Sequence, residues 1–308
     1  MADAGPGGHA VSLSAPHRTD LVFTSGADRC AGWLYLPPEV DRAAAVVLGP
    51  TLAGVRSAAV DGFARHFAAA GFAALVFDYR SFGGSGGSPR QVMTVRGQLE
   101  DWHNAVEAVR AVPSVDPERV ALWGGSITGG HVLRVAAEDP RIAAVVSHVP
   151  LVDGLSSTAA VRPFPSQQVR LCLAGLRDAG RALAHRPPSY LAVIGPPGSR
   201  AVLSSPDAEP DYRAILPAGW DNRIAARVTL SVLAYRPGRA ARHVRCPILL
   251  IVGTRDVVTP PRRAERMVRR APYAELRTYP ARHFESFAPP FSDRVLADST
   301  DFLRRHLG

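Results

Sequence analysis

The sequence predicts an α/β fold: a mostly parallel, eight-stranded sheet flanked by helices. Three observations carry this. Short apolar runs without alternation, "AAAVVLGP" from Ala43 and "CPILLIVG" from Cys246, fit strands buried on both faces. Between such runs stand stretches of helical spacing. One is "VRGQLEDWHNAVEAVRAV", which sets Leu99, Trp102, Val106 and Val109 on one side. The length of 308 residues is enough to bury a large core in a single unit.

The elements follow in order. "LVFTSG" from Leu21 and "AGWLYLP" from Ala31 read as an opening antiparallel pair, and "AAAVVLGP" as the third strand. "AVDGFARHFAAAG" is an amphipathic helix with a glycine stop at Gly71. "FAALVFDY", "RVALWGG" and "IAAVVSHVP" are the next three strands, with a helix from about Ile127 to Glu138 before the last of them. After an interruption come "CPILLIVG", the proline-started helix "PRRAERMVRRA", the final strand "AELRTYP" and the closing helix "DRVLADSTDFLRRHL". Alternating strand and helix imply a parallel sheet covered on both faces.

The interruption spans residues 151–245. It holds a helix-like stretch, "QQVRLCLAGLRDAGRALAH", a proline- and glycine-rich middle, and "DNRIAARVTLSVLAY". A segment of this length without strand–helix alternation is expected to be an insertion folded over the sheet edge as a mobile, helical cap. Gly195-Pro-Pro-Gly198 is its expected exposed break. The expected organisation is a disordered lead over residues 1–20, a core of 21–150 and 246–308, and the insertion between the two core halves.

Composition narrows the function. The formal net charge is +9, and arginine supplies every positive charge because no lysine is present. The arginines are dispersed along the sequence without interleaved aromatics, so no nucleic-acid partner is expected. Cys30, Cys172 and Cys246 are odd in number and scattered, which fits a reduced cytoplasmic protein and neither a disulfide framework nor a metal site. No apolar run reaches the length of a membrane span. The lead "MADAGPGGHAVSLSAPHRTD" has no basic start followed by an apolar core, so no secretory signal is expected.

The stretch "VALWGGSITGGHVL" places Ser126 in a glycine-crowded turn between a strand and a helix. Such a turn either serves tight packing alone or holds the serine hydroxyl up as a nucleophile. The pattern G-x-S-x-G is incomplete: Gly124 and Ser126 fit, Thr128 takes the last position, and Gly129 and Gly130 follow. Serine needs a base to take its proton and an acid to orient that base. In open α/β sheets these groups lie beyond the carboxyl ends of the strands. Asp256 in "TRDVVTP" and His283 in "ARHFE" follow the last two strands, in the order Ser, Asp, His. The alternative readings are a helix-capping aspartate and a surface histidine. Asp153 is a competing acid, because it follows "IAAVVSHVP". His131 reads as a packing residue, His306 as solvated, and His9 and His17 as parts of the lead.

A tetrahedral intermediate needs two N–H donors at its oxyanion. Ile127, the residue after the serine, is one candidate. Leu52, in the loop "GPTLAGVR", is the other. The glycines of "DYRSFGGSGG" suggest a phosphate loop, but no Gly-Lys-Ser/Thr ending and no acidic ribose partner accompany them.

"FDYRSFGGSGGSPR", "WGGSITGGHVL", "GTRDVVTP" and "ARHFE" together resemble the capped serine hydrolases of the α/β-hydrolase superfamily, over about Leu21 to Leu307. The resemblance implies the α/β-hydrolase fold, a cap formed by the insertion, and structural roles for Asp78 and Arg80. Relatives usually read His-Gly where Pro50-Thr51 stands here. Tyr190, Tyr212 and Trp220 are either substrate contacts or cap core. The implied function is cleavage of a carboxylic ester, thioester or lactone through an acyl-enzyme on Ser126, with no cofactor and no metal. The substrate is a small acyl compound, free or carrier-bound. Two alternatives stand beside it: an acyltransferase or chain-releasing enzyme using the same residues, and a non-hydrolytic binding protein or lyase on the same fold.

Overall fold

The computed structural model describes residues 16–38, 40–161, 165–206 and 208–308. The chain opens with β1 (His17–Ser25) and β2 (Asp28–Leu36), an antiparallel hairpin turned at Gly26. The lead expected over residues 1–20 is therefore shorter than its sequence suggests. His17 to Asp20 pair with Leu36 to Trp33, because β2 is long enough to template them. Residues 1–15, with His9, lie outside the described residues.

The core then alternates β3 (Ala43–Gly49), α1 (Val60–Ala69), β4 (Ala73–Phe77), α2 (Val95–Arg110), β5 (Val115–Gly125), α3 (Ile127–Glu138) and β6 (Ala144–His148). Every residue of β3, β4 and β6 is buried, as unalternating apolar strands require. At the end of α1, Gly71 sits at φ +100° and the Phe72 N–H reaches back to the Phe67 carbonyl. This is the left-handed stop its sequence predicts.

The segment 151–245 contributes α4 (Gly154–Val161), α5 (Pro165–Leu183), β7 (Tyr190–Ile194), β8 (Ala201–Leu203), α6 (Ala208–Ala214), β9 (Ile224–Ala225) and α7 (Val228–Ala234). It is not all helical, contrary to expectation. The proline- and glycine-rich middle folds as β7 and β8, with β9 completing a small three-stranded sheet in the order β8-β7-β9. The prolines cluster in the connections, at 187–188 and 196–197. That leaves Leu191, Val193, Ile194 and Val202 free to pack. Buried Asp178 of α5 ties the piece together by accepting from the Ser189 N–H, the Arg227 N–H and the Arg227 guanidinium.

Two 3₁₀ turns (Pro237–Arg239 and Ala241–His243) lead back to β10 (Ile248–Gly253), α8 (Pro261–Val268), β11 (Ala274–Tyr279) and α9 (Phe291–Leu307). The large sheet runs β1-β2-β4-β3-β5-β6-β10-β11 and is parallel from β4 to β11. Among the described residues, no helix is long and apolar enough to cross a membrane.

Register positions the site. Gly49 pairs with Gly124, so the loop after β3 lies beside the turn after β5. Gly253 pairs with Tyr279, so the loops after β10 and β11 emerge together. Four loops thus meet at one end of the sheet.

Candidate active site

Ser126 occupies the turn between β5 and α3 at φ +61°, ψ −124°, a conformation that side chains rarely adopt. Its backbone is held from three directions. The Ser126 N–H donates to the His148 carbonyl at 2.9 Å, and its own carbonyl accepts from Leu151 and Gly130. Room for the turn comes from glycines. A Cβ at Gly124 would lie 2.5 Å from the Thr128 carbonyl oxygen, and one at Gly130 would lie 2.5 Å from the Leu151 oxygen. A Cβ at Gly129 would crowd Pro150 and the Gly124 carbonyl. The close approach usually credited to the last glycine of the pattern is thus made by Gly129 and Gly130.

Thr128 is consequently free to carry a side chain, and it has a structural task. Its hydroxyl donates to the Pro50 carbonyl at 2.6 Å. That fixes the direction of the whole buried series: the Trp102 indole donates to Tyr79, Tyr79 to Thr128, and Thr128 to Pro50. The loop where relatives usually read His-Gly is therefore moored to α3 by a hydroxyl. Its other moorings come from α6 and beyond. The Tyr212 hydroxyl donates to the Leu52 carbonyl at 2.5 Å, which leaves the Thr51 hydroxyl to donate to Tyr212 at 2.7 Å. The Trp220 indole donates to Ala53, itself at φ +54°.

Beside Ser126 stands His283, 1% exposed, its Nε2 2.8 Å from the Ser126 Oγ. Its Nδ1 lies 2.7 Å from Oδ2 of Asp256. A carboxylate can only accept, so Nδ1 carries the proton and Nε2 is left to receive one from the serine. The other oxygen of Asp256 accepts from the Val258 and Thr259 N–H groups, each at 2.8 Å. The Thr259 hydroxyl lies 2.8 Å from Oδ2 of Asp256 and 2.9 Å from the Val149 carbonyl. Thr259 thus fixes the carboxylate through both its backbone and its side chain, a role its sequence position did not suggest. The pattern of an aspartate three residues before a threonine, ahead of a proline-started helix, is the signal that could have found it.

The competing acid is engaged elsewhere. Asp153 pairs with Arg236 at 3.2 Å and accepts from the Ser156 N–H. His131 is buried between Gln98 and Tyr235, and desolvation alone pushes its pKa down to about 3. His148 sits among Phe63, Trp123 and Phe287 at the end of β6. Burial and the nearby His283 also push its pKa down to about 3. Sequence reasoning did not single out His148.

Leu52 and Ile127 line one cavity with Ser126, so both residues expected to offer N–H groups to an oxyanion border the Ser126 side chain. The cavity, about 50 Å³, is otherwise walled by Leu151, Val202, Leu203, Val232 and Val258, with Ser157, Thr158 and Thr259 as its polar members. Tyr190, Tyr212 and Trp220 are not on this wall. Tyr212 is fully buried against the Leu52 loop, Trp220 caps Ala53, and the Tyr190 hydroxyl donates to Arg90. The glycine-rich loop 78–87 is also a scaffold: Asp78 accepts from the Arg56 N–H, its guanidinium and the Gly84 N–H.

The comparisons with known proteins agree with this architecture. The profile of the X-Pro dipeptidyl-peptidase (S15) family matches residues 25–284. The quorum-quenching protein AidA of Acinetobacter baumannii (strain MDR-ZJ06) is 37% identical over 288 residues, covering 93% of this chain and 94% of that protein. The polyketide transferase claH of Penicillium crustosum is 27% identical over 286 residues, 87% of this chain and 90% of its own. Among solved structures, the α/β hydrolase GrgF from Penicillium sp. sh18 superposes with a TM-score of 0.81 at 25% identity, over 94% of this chain and 99% of that one. The sheet order, the loops gathered at its end and the length of the profile match lead to one conclusion: the chain is an α/β-hydrolase-fold enzyme and belongs to the X-Pro dipeptidyl-peptidase (S15) family.

Proposed function

We propose that the enzyme cleaves a carboxylic ester, thioester or lactone with an apolar acyl part, through an acyl-enzyme on Ser126. The observation that carries this reading is the unbroken hydrogen-bonded series from Ser126 through His283 to Asp256. The Ser126 Oγ attacks the carbonyl carbon while its proton passes to His283 Nε2. Charge then collects on the carbonyl oxygen, and the N–H groups of Leu52 and Ile127 receive it. The imidazolium, held by Asp256, gives its proton to the departing alkoxide or thiolate. Water repeats the sequence: its proton goes to His283 and its oxygen to the acyl carbon, and as the bond to Ser126 breaks His283 returns the proton to the Ser126 Oγ, releasing the acid.

The cavity wall favours an acyl group over a peptide N-terminus. Among the described residues, no carboxylate lines it to pair with an ammonium group. A relative named as a polyketide transferase supports a second reading, in which an alcohol, amine or thiol replaces water in the last step. In both readings residues 151–245 form a cap. Val202 and Leu203 of β8 and Val232 of α7 complete the wall facing Ser126. The three free cysteines, two of them buried, suit a reducing compartment.

The test is a series of p-nitrophenyl esters and acyl thioesters of rising chain length, run with the parent and Ser126→Ala. A fluorophosphonate probe should label the parent and not the variant. Turnover of every substrate by the Ser126→Ala protein within tenfold of the parent would remove the serine mechanism. Faster loss of the acyl-enzyme on adding an alcohol or thiol would favour transfer over hydrolysis.

A further inference from the structure

Residues 151–245 hold a second, larger space that shares no lining residue with the Ser126 cavity. The helix α5 is tied to the small sheet near both of its ends. Close to its start the Gln167 amide donates to the Ser199 carbonyl at 2.9 Å and to the Ser204 hydroxyl at 2.8 Å. Toward its end buried Asp178 accepts from the Ser189 N–H at 2.7 Å. Between these ties the lining residues are small. Ala192 of β7 and Ala201 of β8 stand side by side in register, and Ala174 of α5 borders the same space. The result is a groove of about 620 Å³, within the roughly 300–1,000 Å³ of ordinary ligand sites.

Arginines gather on this groove. Arg177 of α5 and Arg200, in the turn before β8, both line it, and both also line a neighbouring hollow with Arg170, two helical turns earlier on α5. All three are exposed. Among the described residues, none of their guanidinium groups has a carboxylate or a hydrogen-bond partner. Glu209, the one carboxylate on the groove, is held by Arg213 at 2.9 Å. The remaining wall is largely apolar, with Leu191, Ile194 and the ring of Tyr190 beside the alanines. A guanidinium fork takes a phosphate two bonds at a time. A phosphate monoester carries about −1.5 to −2 charges at pH 7, enough to engage more than one fork, whereas a carboxylate brings a single charge. The apolar wall adds a place for an organic body.

The groove and the Ser126 cavity meet at β8. Ala201 borders the groove, and the next two residues, Val202 and Leu203, border the cavity. That cavity is about 50 Å³, far below an ordinary ligand site, so its wall must shift outward before a long acyl group enters. Arg200 immediately precedes β8, and Arg177 belongs to the tied-down α5. A phosphate bridging the two guanidinium groups holds the start of β8 in place.

We propose that this groove binds a small organic phosphate through Arg177 and Arg200, and that the bound ligand restrains β8 and slows the entry of long acyl groups into the Ser126 cavity. Binding at the groove stands without the acyl-enzyme reading above; only its effect on turnover rests on it.

The probe is phenyl phosphate, followed by isothermal titration calorimetry beside inorganic phosphate, which lacks the organic body, and benzoate, which lacks the second charge. Phenyl phosphate should bind about tenfold or more tighter than either. The double variant Arg177→Gln, Arg200→Gln changes exposed residues only. It should weaken that binding about tenfold or more and keep the parent's turnover of p-nitrophenyl acetate. Ala192→Leu, which fills the groove and keeps both charges, should weaken it too. Saturating phenyl phosphate should lower kcat/KM for p-nitrophenyl octanoate about fivefold or more and leave p-nitrophenyl acetate nearly unchanged. Binding of benzoate or inorganic phosphate as tight as that of phenyl phosphate overturns the proposal, as does binding that survives the double variant. Inhibition that is equal for the two esters, or absent, overturns it as well. If the parent binds phosphatidic acid vesicles but not phenyl phosphate, the arginines serve a lipid surface and the soluble ligand is ruled out. If no ester is turned over even without the probe, the acyl-enzyme reading is what fails, and calorimetry on the parent and the double variant alone decides the groove.

Discussion

The hydroxyl of Tyr212 donates to the carbonyl of Leu52 at 2.5 Å, joining α6 to the loop beside Ser126. The same ring stacks on Phe284 with centroids 4.3 Å apart, next to His283. One residue away, Asp211 makes a two-point ion pair with Arg282 at 2.9 and 3.1 Å. The helix α6 therefore braces two of the four loops at the end of the sheet.

Tyr212→Phe should lower kcat with little change in KM. The loss should be about tenfold, less than the roughly 100-fold or more seen when an oxyanion donor is deleted outright. Thr51→Val should act in the same direction. Steady-state kinetics with a short p-nitrophenyl ester decide it, and a rise in KM at constant kcat would place Tyr212 in substrate binding instead.

Asp256→Asn should be far more damaging than Asp153→Asn. An aspartate that fixes the imidazole tautomer is worth about 10⁴ in kcat in the serine-protease example. Asp153 faces Arg236 and the Ser156 N–H, so its variant should stay within tenfold of the parent. Single-turnover rates of the two variants settle the assignment, which is lost if their order is reversed.

Ser126→Ala should cost on the order of 10⁴ to 10⁶ in turnover. Ser126→Gly should do the same to turnover yet be the more stable of the two. Glycine adopts φ +61° without the strain of about 1–3 kcal/mol that a side chain brings there. Thermal melts of the two variants in one buffer test this.

His148 predicts a pH dependence of stability. It is neutral in the fold, with a pKa near 3, whereas an exposed histidine titrates near 6.5. Below about pH 6.5 the unfolded chain binds the proton that the fold refuses, so stability is present above that value and falls as the pH drops toward 3. The slope contributed by this group should approach about 1.4 kcal/mol per pH unit well inside the window. His148→Phe suits the aromatic surroundings and should flatten the fall in denaturation midpoint between pH 6.5 and 4.5. Parallel curves for parent and variant would show that His148 does not titrate as argued.

Trypsin should cut first after Arg200. The turn at Gly195–Gly198 is exposed at its tip, and Arg200 follows it. Arg213 looks equally open in sequence, but it lies in α6 beside fully buried Tyr212 and pairs with Glu209. Mass spectrometry of the first fragments identifies the site. A first cut in the core strands would show that the insertion is as tightly held as the sheet.

Much of this was legible because the strands bury both faces. Unalternating runs such as Ala43–Gly49 and Ile248–Gly253 can hardly be anything else in a chain of this length, and helix α3 begins and ends where its glycines and apolar spacing place it. The three residues at the strand ends were legible from their types and order. What escaped depends on contacts distant in sequence. Thr128 reads as a defect in a glycine pattern until Pro50 is seen above it. Tyr212 reads as either a substrate contact or cap core until the Leu52 loop is seen beneath it. The strands β7 and β8 were hidden by prolines that punctuate them without entering them.

The bracing by α6 sets a limit on engineering. Val202 and Leu203 of β8 and Val232 of α7 line the cavity of Ser126, so they are the positions to exchange to alter acyl preference. A graft that replaced the whole of 151–245 would also remove the supports of the Leu52 and His283 loops. Chimeras of this scaffold should therefore be cut to keep Ala208 to Trp220 with the parent sheet and to vary only what lies on either side.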